Sequence, residues 1–214
     1  MSAVNQLISG KDRVNFLLSA YPSLRDDDKK LWISYLVMYH NLQDVLTMPQ
    51  PFEALCSLLL KEGICSSETI RRLRQKLQEN GVYEKSEGSV SPQTLNRMRA
   101  KGQLIEEKHI HKSFSFNLNS RVEHLLKNYT ALRDNDTQLW LAYLVMFHGM
   151  KERINESINS YEEFCDIVLD KEVPTMQSIR RSRQHFQEKG LYVGEKRKQR
   201  LNMAKEVSEW ACGD

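Results

Sequence analysis

The sequence contains few cysteines and no long apolar run. None of its apolar stretches approaches the roughly 20 residues of a membrane-spanning helix, and none near the N-terminus has the form of a secretory signal. The four cysteines, Cys56, Cys65, Cys165 and Cys212, form no C-x-x-C pair and are too sparse for a disulfide scaffold. We expect a cytoplasmic protein without membrane contact, in which Cys56 and Cys165 are small core residues.

The charge of the chain is nearly balanced but unevenly placed. Hydrophobic residues make up 40% and charged residues 28% of the chain, as in ordinary globular proteins, and the formal net charge is only +3. Between Pro174 and Arg200, however, eight basic residues stand against Glu188 and Glu195. This segment is the electrostatic candidate for contact with a phosphate backbone.

The chain is internally duplicated. The 28 residues that begin at Arg13 match those that begin at Arg121 at 16 identical positions, with a constant offset of 108. After a gain of one residue, the 32 residues from Phe52 match those from Tyr161 at 12 identical positions. A period this long with only two copies favours two small similar domains over a solenoid.

The duplication predicts three segments, namely a first repeat over residues 1–85, a linker over 86–120 and a second repeat over 121–214. The linker contains a turn-rich break and a short helical segment at 94–102. Phe114, Phe116 and Leu118 then alternate with polar residues, a pattern typical of either a short strand or an extended linker. We therefore expect a partly extended connection between the repeats.

The sequence pattern of each repeat predicts four helices. A short first helix over 14–20 is followed by a second that carries the main apolar stripe, which includes Trp32 in the first copy and Trp140 in the second. Asp26 and Asp134 are predicted to cap this second helix, and Asp28 and Asp136 to complement its dipole. A third helix is predicted over 52–60.

The fourth helix is predicted to begin after Ser66 or Thr175 and to end at Gly81 or Gly190. A helix, a short turn and a capped helix form the outline of a helix-turn-helix. Val82 and Leu191, each followed by a tyrosine, could begin a small wing strand. The predicted fold class is therefore mainly α, with two tandem helix-turn-helix-like repeats of possible winged-helix type.

Catalytic and metal-binding motifs are absent from the sequence. It contains no H-E-x-x-H, G-x-S-x-G or phosphate-loop pattern. His40 and His148 end the second helix of each copy, where a histidine interacts favourably with the helix dipole. The acidic run at 26–28 could be mistaken for a nuclease metal site, but Asn135 replaces its middle carboxylate in the second copy. We expect no enzyme, no metal and no cofactor.

The two fourth helices share the string I-R-R-x-R-Q-x-x-Q-E-x-G-x-Y. The apolar positions of this string predict that one side of each fourth helix packs on the core. The Arg and Gln positions predict an exposed edge on the opposite side. Arginine matches guanine O6 and N7, and glutamine matches adenine N6 and N7, whereas flanking arginines suit phosphates. The ordinary alternative to DNA contact is that this charged edge of the helix is simply exposed to solvent. The predicted DNA-contacting residues are Arg71, Arg72, Arg74, Gln75 and Gln78; Arg180, Arg181, Arg183, Gln184 and Gln187; and the C-terminal Lys196, Arg197, Lys198 and Arg200.

The strings SSETIRRLRQKLQENGVY and TMQSIRRSRQHFQEKGLY follow a Leu-Arg-Asp-x-Asp segment and a Leu-Trp-x-x-Tyr helix. Together they resemble the C-terminal halves of small phage and prophage helix-turn-helix or winged-helix proteins. The resemblance covers most of each repeat and implies DNA binding, with a basic tail after the glycine as at 195–200. The tandem arrangement departs from the single-copy pattern of those proteins.

These observations predict a DNA-binding regulator of a phage or mobile element. We expect a pseudo-symmetric monomer whose duplicated helices bind two related half-sites on double-stranded DNA. The alternative is a protein-interaction module, such as a phage inhibitor or adaptor that binds an acidic partner surface.

Overall fold

A computed structural model describes residues 9–83 and 107–211, with side chains described over 9–83 and 118–204. Over these residues the chain forms eleven α-helices and two short 3-10 helices, and no strand. The mainly α fold class is therefore confirmed. No helix in the described ranges is long and apolar enough to cross a membrane.

The helices of the first repeat are α1 (Gly10–Ala20), α2 (Asp28–His40), α3 (Leu42–Leu46), α4 (Pro51–Leu59) and α5 (Ser67–Glu79). The later helices are α6 (Glu107–Asn128), α7 (Asp136–His148), α8 (Met150–Glu156), α9 (Ser160–Leu169), α10 (Met176–Glu188) and α11 (Glu195–Ala211). The 3-10 helices, Pro22–Leu24 and Thr130–Asp134, precede α2 and α7.

The chain divides into two compact units. Unit 1 comprises Met1–His111 and His148–Val173, and unit 2 comprises Lys112–Phe147 and Pro174–Asp214. Helices α8 and α9 of the second repeat thus belong to unit 1. The units therefore do not follow the repeat limits expected from the sequence, and the three-segment division of the chain stays a prediction.

Unit 1 joins equivalent helices of the two repeats. Helix α5 packs on α1 and α2, whereas α3 and α4 pack on α8 and α9. The Phe52 backbone N–H donates to Asn155 Oδ1 at 3.1 Å, and the Trp32 and Phe164 rings lie 6.4 Å apart. Because the main neighbours of α5 are α1 and α2 rather than α4, the packing does not confirm a helix-turn-helix.

Unit 2 encloses a core contributed by α6, α7 and α10. Leu125, Leu139, Leu144 and Ile179 are fully buried. Trp140 is buried as predicted, and its indole N–H donates to the Pro174 carbonyl at 3.2 Å. Trp32 makes the equivalent bond to the Cys65 carbonyl in unit 1, also at 3.2 Å.

The predicted caps of the second helix are wrong by one residue. Asp27, not Asp26, caps α2, because its side chain accepts from the Lys30 N–H at 3.0 Å. In the second copy Asn135 accepts from the Gln138 N–H at 3.1 Å. Aspartate and asparagine are both good capping residues, which accounts for the difference between the two copies at this position.

The extended linker is also wrong where the structure describes it. The backbone from Glu107 to Asn128 is one helix, so the alternation of Phe114, Phe116 and Leu118 does not form a strand. The helical segment predicted at 94–102 lies outside the described residues. The wing strands expected at Val82 and Leu191 are not formed.

Candidate nucleic-acid interface

The duplicated helices α5 and α10 begin and end as the sequence predicts. The Ser66 side chain accepts from the Thr69 N–H, and the Thr175 side chain from the Ser178 N–H. Gly81 and Gly190 follow the two helices with φ of +70° and +76°, a conformation that favours glycine. Ile70 and Leu77 in α5, and Ile179 and Phe186 in α10, are buried as predicted.

Arg74 and Arg183 point inward rather than to the expected exposed edge. Their side chains are only 11% and 13% exposed. Arg74 Nε donates to Asp28 Oδ1 at 2.7 Å, and its Nη1 to the Arg25 carbonyl at 2.8 Å. Arg183 repeats both contacts, with an ion pair to Asp136 of 2.8 Å and a hydrogen bond to the Arg133 carbonyl.

Gln78 and Gln187 complete the same inner network. Gln78 Nε2 donates to the Arg25 carbonyl at 3.2 Å, and Gln187 Nε2 to the Arg133 carbonyl at 3.0 Å. Each network ties the fourth helix of a repeat to the turn before its second helix. The recurrence of these arginines and glutamines therefore has a structural account, and their contact with DNA stays a prediction.

The tyrosine that ends the shared string is part of the packing as well. Tyr83 OH donates to the Asn15 carbonyl at 2.7 Å, and the Arg25 guanidinium lies 4.8 Å from the centre of its ring. Tyr192 OH donates to Glu123 at 3.1 Å, under the guanidinium of Arg133. The G-x-Y segment thus returns to the first helix of each unit instead of forming a wing.

The first turn of α5 contains a buried carboxylate. Arg71 donates twice to Glu68, from Nε and Nη2 at 2.8 Å, and Arg72 Nε donates once, also at 2.8 Å. Hydrogen bonds from Arg71, opposed by burial and assisted by Arg72, lower the pKa of Glu68 to about 2. Glu68 therefore stays ionised and holds both guanidinium groups.

The first turn of α10 lacks that carboxylate. Gln177 occupies the position of Glu68, and α10 has no acidic residue in its first turn. Arg180 Nε lies 3.6 Å from Asp136, which also pairs with Arg183. Arg181, the equivalent of Arg72, is exposed. In the second copy the carboxylate near Arg180 is therefore Asp136 of α7 rather than a residue in the first turn of α10.

The outer edge of both helices carries the remaining shared residues. Gln75 and Gln184 are half-buried, and neither makes a side-chain hydrogen bond to any residue that the structure describes. Arg181, Gln184 and Glu188 follow one face at i, i+3 and i+7, and His185 beside them is exposed. This edge of α10 keeps the arginine and glutamine chemistry expected of a base-contacting helix.

The basic run begins in the first turns of α11. Lys196, Lys198 and Arg200 are exposed, and Lys198 pairs with Glu195 at 2.7 Å in an exposed ion pair of the kind that contributes little. Arg197 is half-buried, and its Nη1 donates to Gln187 Oε1 at 3.4 Å. The exposed cations therefore lie beside α10 within the same unit.

Asp134 positions the start of α11, a contact that the sequence did not reveal. The Lys196 N–H donates to Asp134 Oδ2 at 3.4 Å, and α11 packs on the 3-10 helix that ends at Asp134. A Cβ at Gly194 would lie 2.1 Å from Asp134 Oδ1, so a larger residue there would displace the Asp134 side chain. A carboxylate at a helix N-terminus is favoured by the helix dipole.

We expect Gly194→Ala to destabilise unit 2 by about 1 kcal/mol, as the loss of a helix cap does. The new methyl group would displace Asp134 from the first turn of α11. Urea unfolding followed by far-UV circular dichroism measures the change. Asn202→Ala, an exposed substitution on the same helix, is the control and should change stability by less than about 0.5 kcal/mol. Equal stabilities of the two variants would contradict the role given to Asp134.

The structure describes the surroundings of His40, Cys56 and Cys165. His40 and His148 end α2 and α7 as predicted. Burial, and then Arg13 and Lys61, lower the pKa of His40, which disfavours its charged form. Burial raises the pKa of the Cys56 and Cys165 thiols, which are half-buried. Across the described residues no cluster of three His, Cys, Asp or Glu side chains could hold a metal ion.

Comparison with known proteins returned no match, whether to a family model, to a curated protein or to a solved structure.

Proposed function

We propose that the protein binds double-stranded DNA through unit 2 and acts as a regulator rather than an enzyme. The observation that supports this best is the exposed basic surface of α10 and α11. Its cations are Arg181, Lys189, Lys196, Lys198 and Arg200, with Glu188 and Glu195 as the acidic residues of the same stretch. A surface of this kind neutralises phosphates and releases counterions, which is the main source of affinity for duplex DNA.

The proposal assigns two roles to this surface. Lys196, Lys198 and Arg200 contact phosphates and so contribute to binding of any sequence. Arg181 and Gln184, on the outer edge of α10, are the residues able to contact base edges in a major groove. The proposed role is that of a transcription regulator of a phage or mobile element.

The basic run provides the test. Binding to random duplex DNA should weaken at least about tenfold when Gln replaces Lys196, Arg197, Lys198 and Arg200. Each lost phosphate contact removes the release of counterions that contributes to affinity, and it lowers the slope of log affinity against log salt concentration by roughly 0.9. Fluorescence anisotropy with a labelled duplex over a salt series gives both affinity and slope. We expect the slope to fall by about one unit for each lost contact.

A matched control removes the same charge from unit 1. Lys11, Lys30, Lys61 and Lys171 are all exposed, and their replacement by Gln should change the affinity less than twofold. Equal losses in both variants would mean that only overall charge matters. A parent protein without salt-dependent DNA binding would contradict the proposal.

That last result would favour the protein-interaction alternative. Leu201 and Met203 on α11 are exposed beside the basic run. A cationic helix that also exposes apolar side chains is suited to an acidic groove on a partner protein.

A further inference from the structure

Unit 1 contains a groove between the α3–α4 connection of the first repeat and the α8–α9 connection of the second. These connections occupy equivalent positions in the duplicated sequence, and the groove has a volume of about 330 Å³. None of its eleven described lining residues is charged, and six of them are apolar or aromatic, namely Leu46, Met48, Pro49, Pro51, Ile158 and Tyr161. We call this pocket the unit 1 groove.

Two apolar lining residues of the unit 1 groove are exposed to solvent. Ile158 is fully exposed, and Met48 is 50% exposed. One comes from each repeat, and both line the same pocket. Single exposed apolar residues are ordinary, but exposed apolar residues that share a concave surface are typical of a protein-binding site.

The residues that flank the unit 1 groove are acidic. Asp44 precedes the lining residues of the first repeat, Glu156 lies between two lining residues of the second, and Glu162 follows the last of them. All three are exposed, and none forms an ion pair with a residue that the structure describes. Residues 41–52 and 154–162 contain these three acids and neither lysine nor arginine. The groove therefore favours a cationic partner.

The nearest cations along the second repeat are already paired. Lys151 lies 3.1 Å from Glu53, and Arg153 pairs with Glu163. Unit 1 as a whole has 18 Lys and Arg residues against 20 Asp and Glu residues, whereas unit 2 has 13 against 8. Unit 2 of another copy of the chain therefore has the sign of charge that the groove attracts.

Helix α11 of unit 2 has the complementary chemistry. Every residue from Lys198 to Ala204 is exposed, including Leu201 and Met203, which are 50% and 62% exposed. Leu201 follows Lys198 by three residues, and Met203 follows Arg200 by three, so each apolar side chain has a cation as its neighbour on the helix. A helix obtains most of its stability from the packing of an apolar face, so this stretch is suited to a partner that covers it.

We propose that α11 of one copy of the chain docks in the unit 1 groove of a second copy. The apolar side chains of α11 cover those of the groove, and its cations face the acids that flank the groove, which is the helix-in-groove mode of recognition. This inference goes beyond the proposed function and does not depend on it. Because α11 also carries the proposed phosphate contacts, self-association and DNA binding through this helix exclude one another.

Sedimentation velocity of the full chain in the absence of DNA tests the inference. The mass should rise above the 25.1 kDa of one chain as the protein concentration increases. Added salt should reverse this rise, because it screens the exposed charges on both surfaces. A parent that stays monomeric up to roughly 0.1 mM leaves the groove to a different partner and overturns the inference.

Charge reversal on either surface should weaken the association. Lys198→Glu with Arg200→Glu on α11, or Glu156→Lys with Glu162→Lys beside the groove, should raise the dissociation constant at least about tenfold, because like charges then meet. An equimolar mixture of the two double variants should associate again, with a dissociation constant within about threefold of the parent value. The reason is that each variant supplies the surface that complements the altered surface of the other.

Glu62→Lys with Glu79→Lys is the charge-matched control for the groove variant. Both glutamates are exposed in unit 1 and do not line the groove, so this variant should associate within about twofold of the parent. If the groove variant fails to fold, as judged by circular dichroism, Ile158→Ser at the fully exposed lining position takes its place. If either reversed variant associates as tightly as the parent, or their mixture stays monomeric, the inference is overturned while the proposed function stands.

Discussion

Trp140→Ala is expected to destabilise unit 2 by about 3–5 kcal/mol, the usual cost of truncating a large buried aromatic side chain. Trp140 is 3% exposed, and its indole N–H donates to the Pro174 carbonyl at 3.2 Å. The substitution therefore leaves a cavity between α7 and α10 and removes the donor from a buried carbonyl. Because α10 carries the proposed DNA contacts, binding should weaken along with stability.

The measurement is urea unfolding monitored by far-UV circular dichroism. Trp140→Phe is the informative control, because it keeps most of the aromatic volume and removes mainly the hydrogen bond, at about 1 kcal/mol. Trp32→Ala should have an effect of the same size in unit 1, where the equivalent bond to the Cys65 carbonyl is also 3.2 Å. A Trp140→Ala variant as stable as the parent would place this tryptophan on the surface and invalidate the helix phasing.

The helices were predictable because local chemistry determines them. Hydrophobic periodicity predicts the apolar stripes that contain Trp32 and Trp140. Capping preferences predict the Ser66 and Thr175 caps and the glycines that end α5 and α10. The structure confirms each of these features. The cap of the second helix was misplaced because several adjacent polar residues could serve. Only the backbone conformation selects Asp27 and Asn135 among them.

The pairing of α3 and α4 with α8 and α9 could not be predicted, since periodicity does not show which apolar faces meet. The alternation of Phe114 and Phe116 misled for a different reason. Three apolar residues at every second position also fit within a helix, and the surrounding segment forms one. A pattern of three residues is too short to distinguish the two-residue period of a strand from the 3.6-residue period of an α-helix.

The candidate site was predicted in part. The arginines and glutamines that match between α5 and α10 indicate a shared role. An arginine that occurs in both copies can, however, stabilise the packing of each unit as well as bind a ligand. Arg74 and Arg183 contact an acid and a carbonyl more than 40 residues earlier in the chain, which no local pattern reveals. The contrast of Glu68 with Gln177 was visible in the sequence, yet its meaning depends on the three hydrogen bonds that Glu68 accepts.

Arg183→Ala is expected to destabilise unit 2 by about 2–3 kcal/mol, because Asp136 would lose its closer partner and keep only the longer contact with Arg180. Asp136 would lose its 2.8 Å contact, and the Arg133 carbonyl would lose a donor. Arg183→Lys should recover only part of the loss, since a single ammonium group cannot reproduce the geometry of the guanidinium fork. The free energy of unfolding in urea measures both effects.

A base-contacting arginine would behave differently, and Arg181→Ala supplies the comparison. Arg181 is exposed on the outer edge of α10, so its loss should change stability by less than about 0.5 kcal/mol and weaken DNA binding. Measured on folded protein, Arg183→Ala should weaken binding less than Arg181→Ala does. In the double variant with Asp136→Ala, the loss from Arg183→Ala should shrink, because the two side chains interact directly. The contrary result would be an Arg183→Ala variant that is as stable as the parent and no longer binds a selected DNA sequence. Arg183 would then contact the DNA, and its hydrogen bonds inside unit 2 would not explain why both repeats have an arginine at this position.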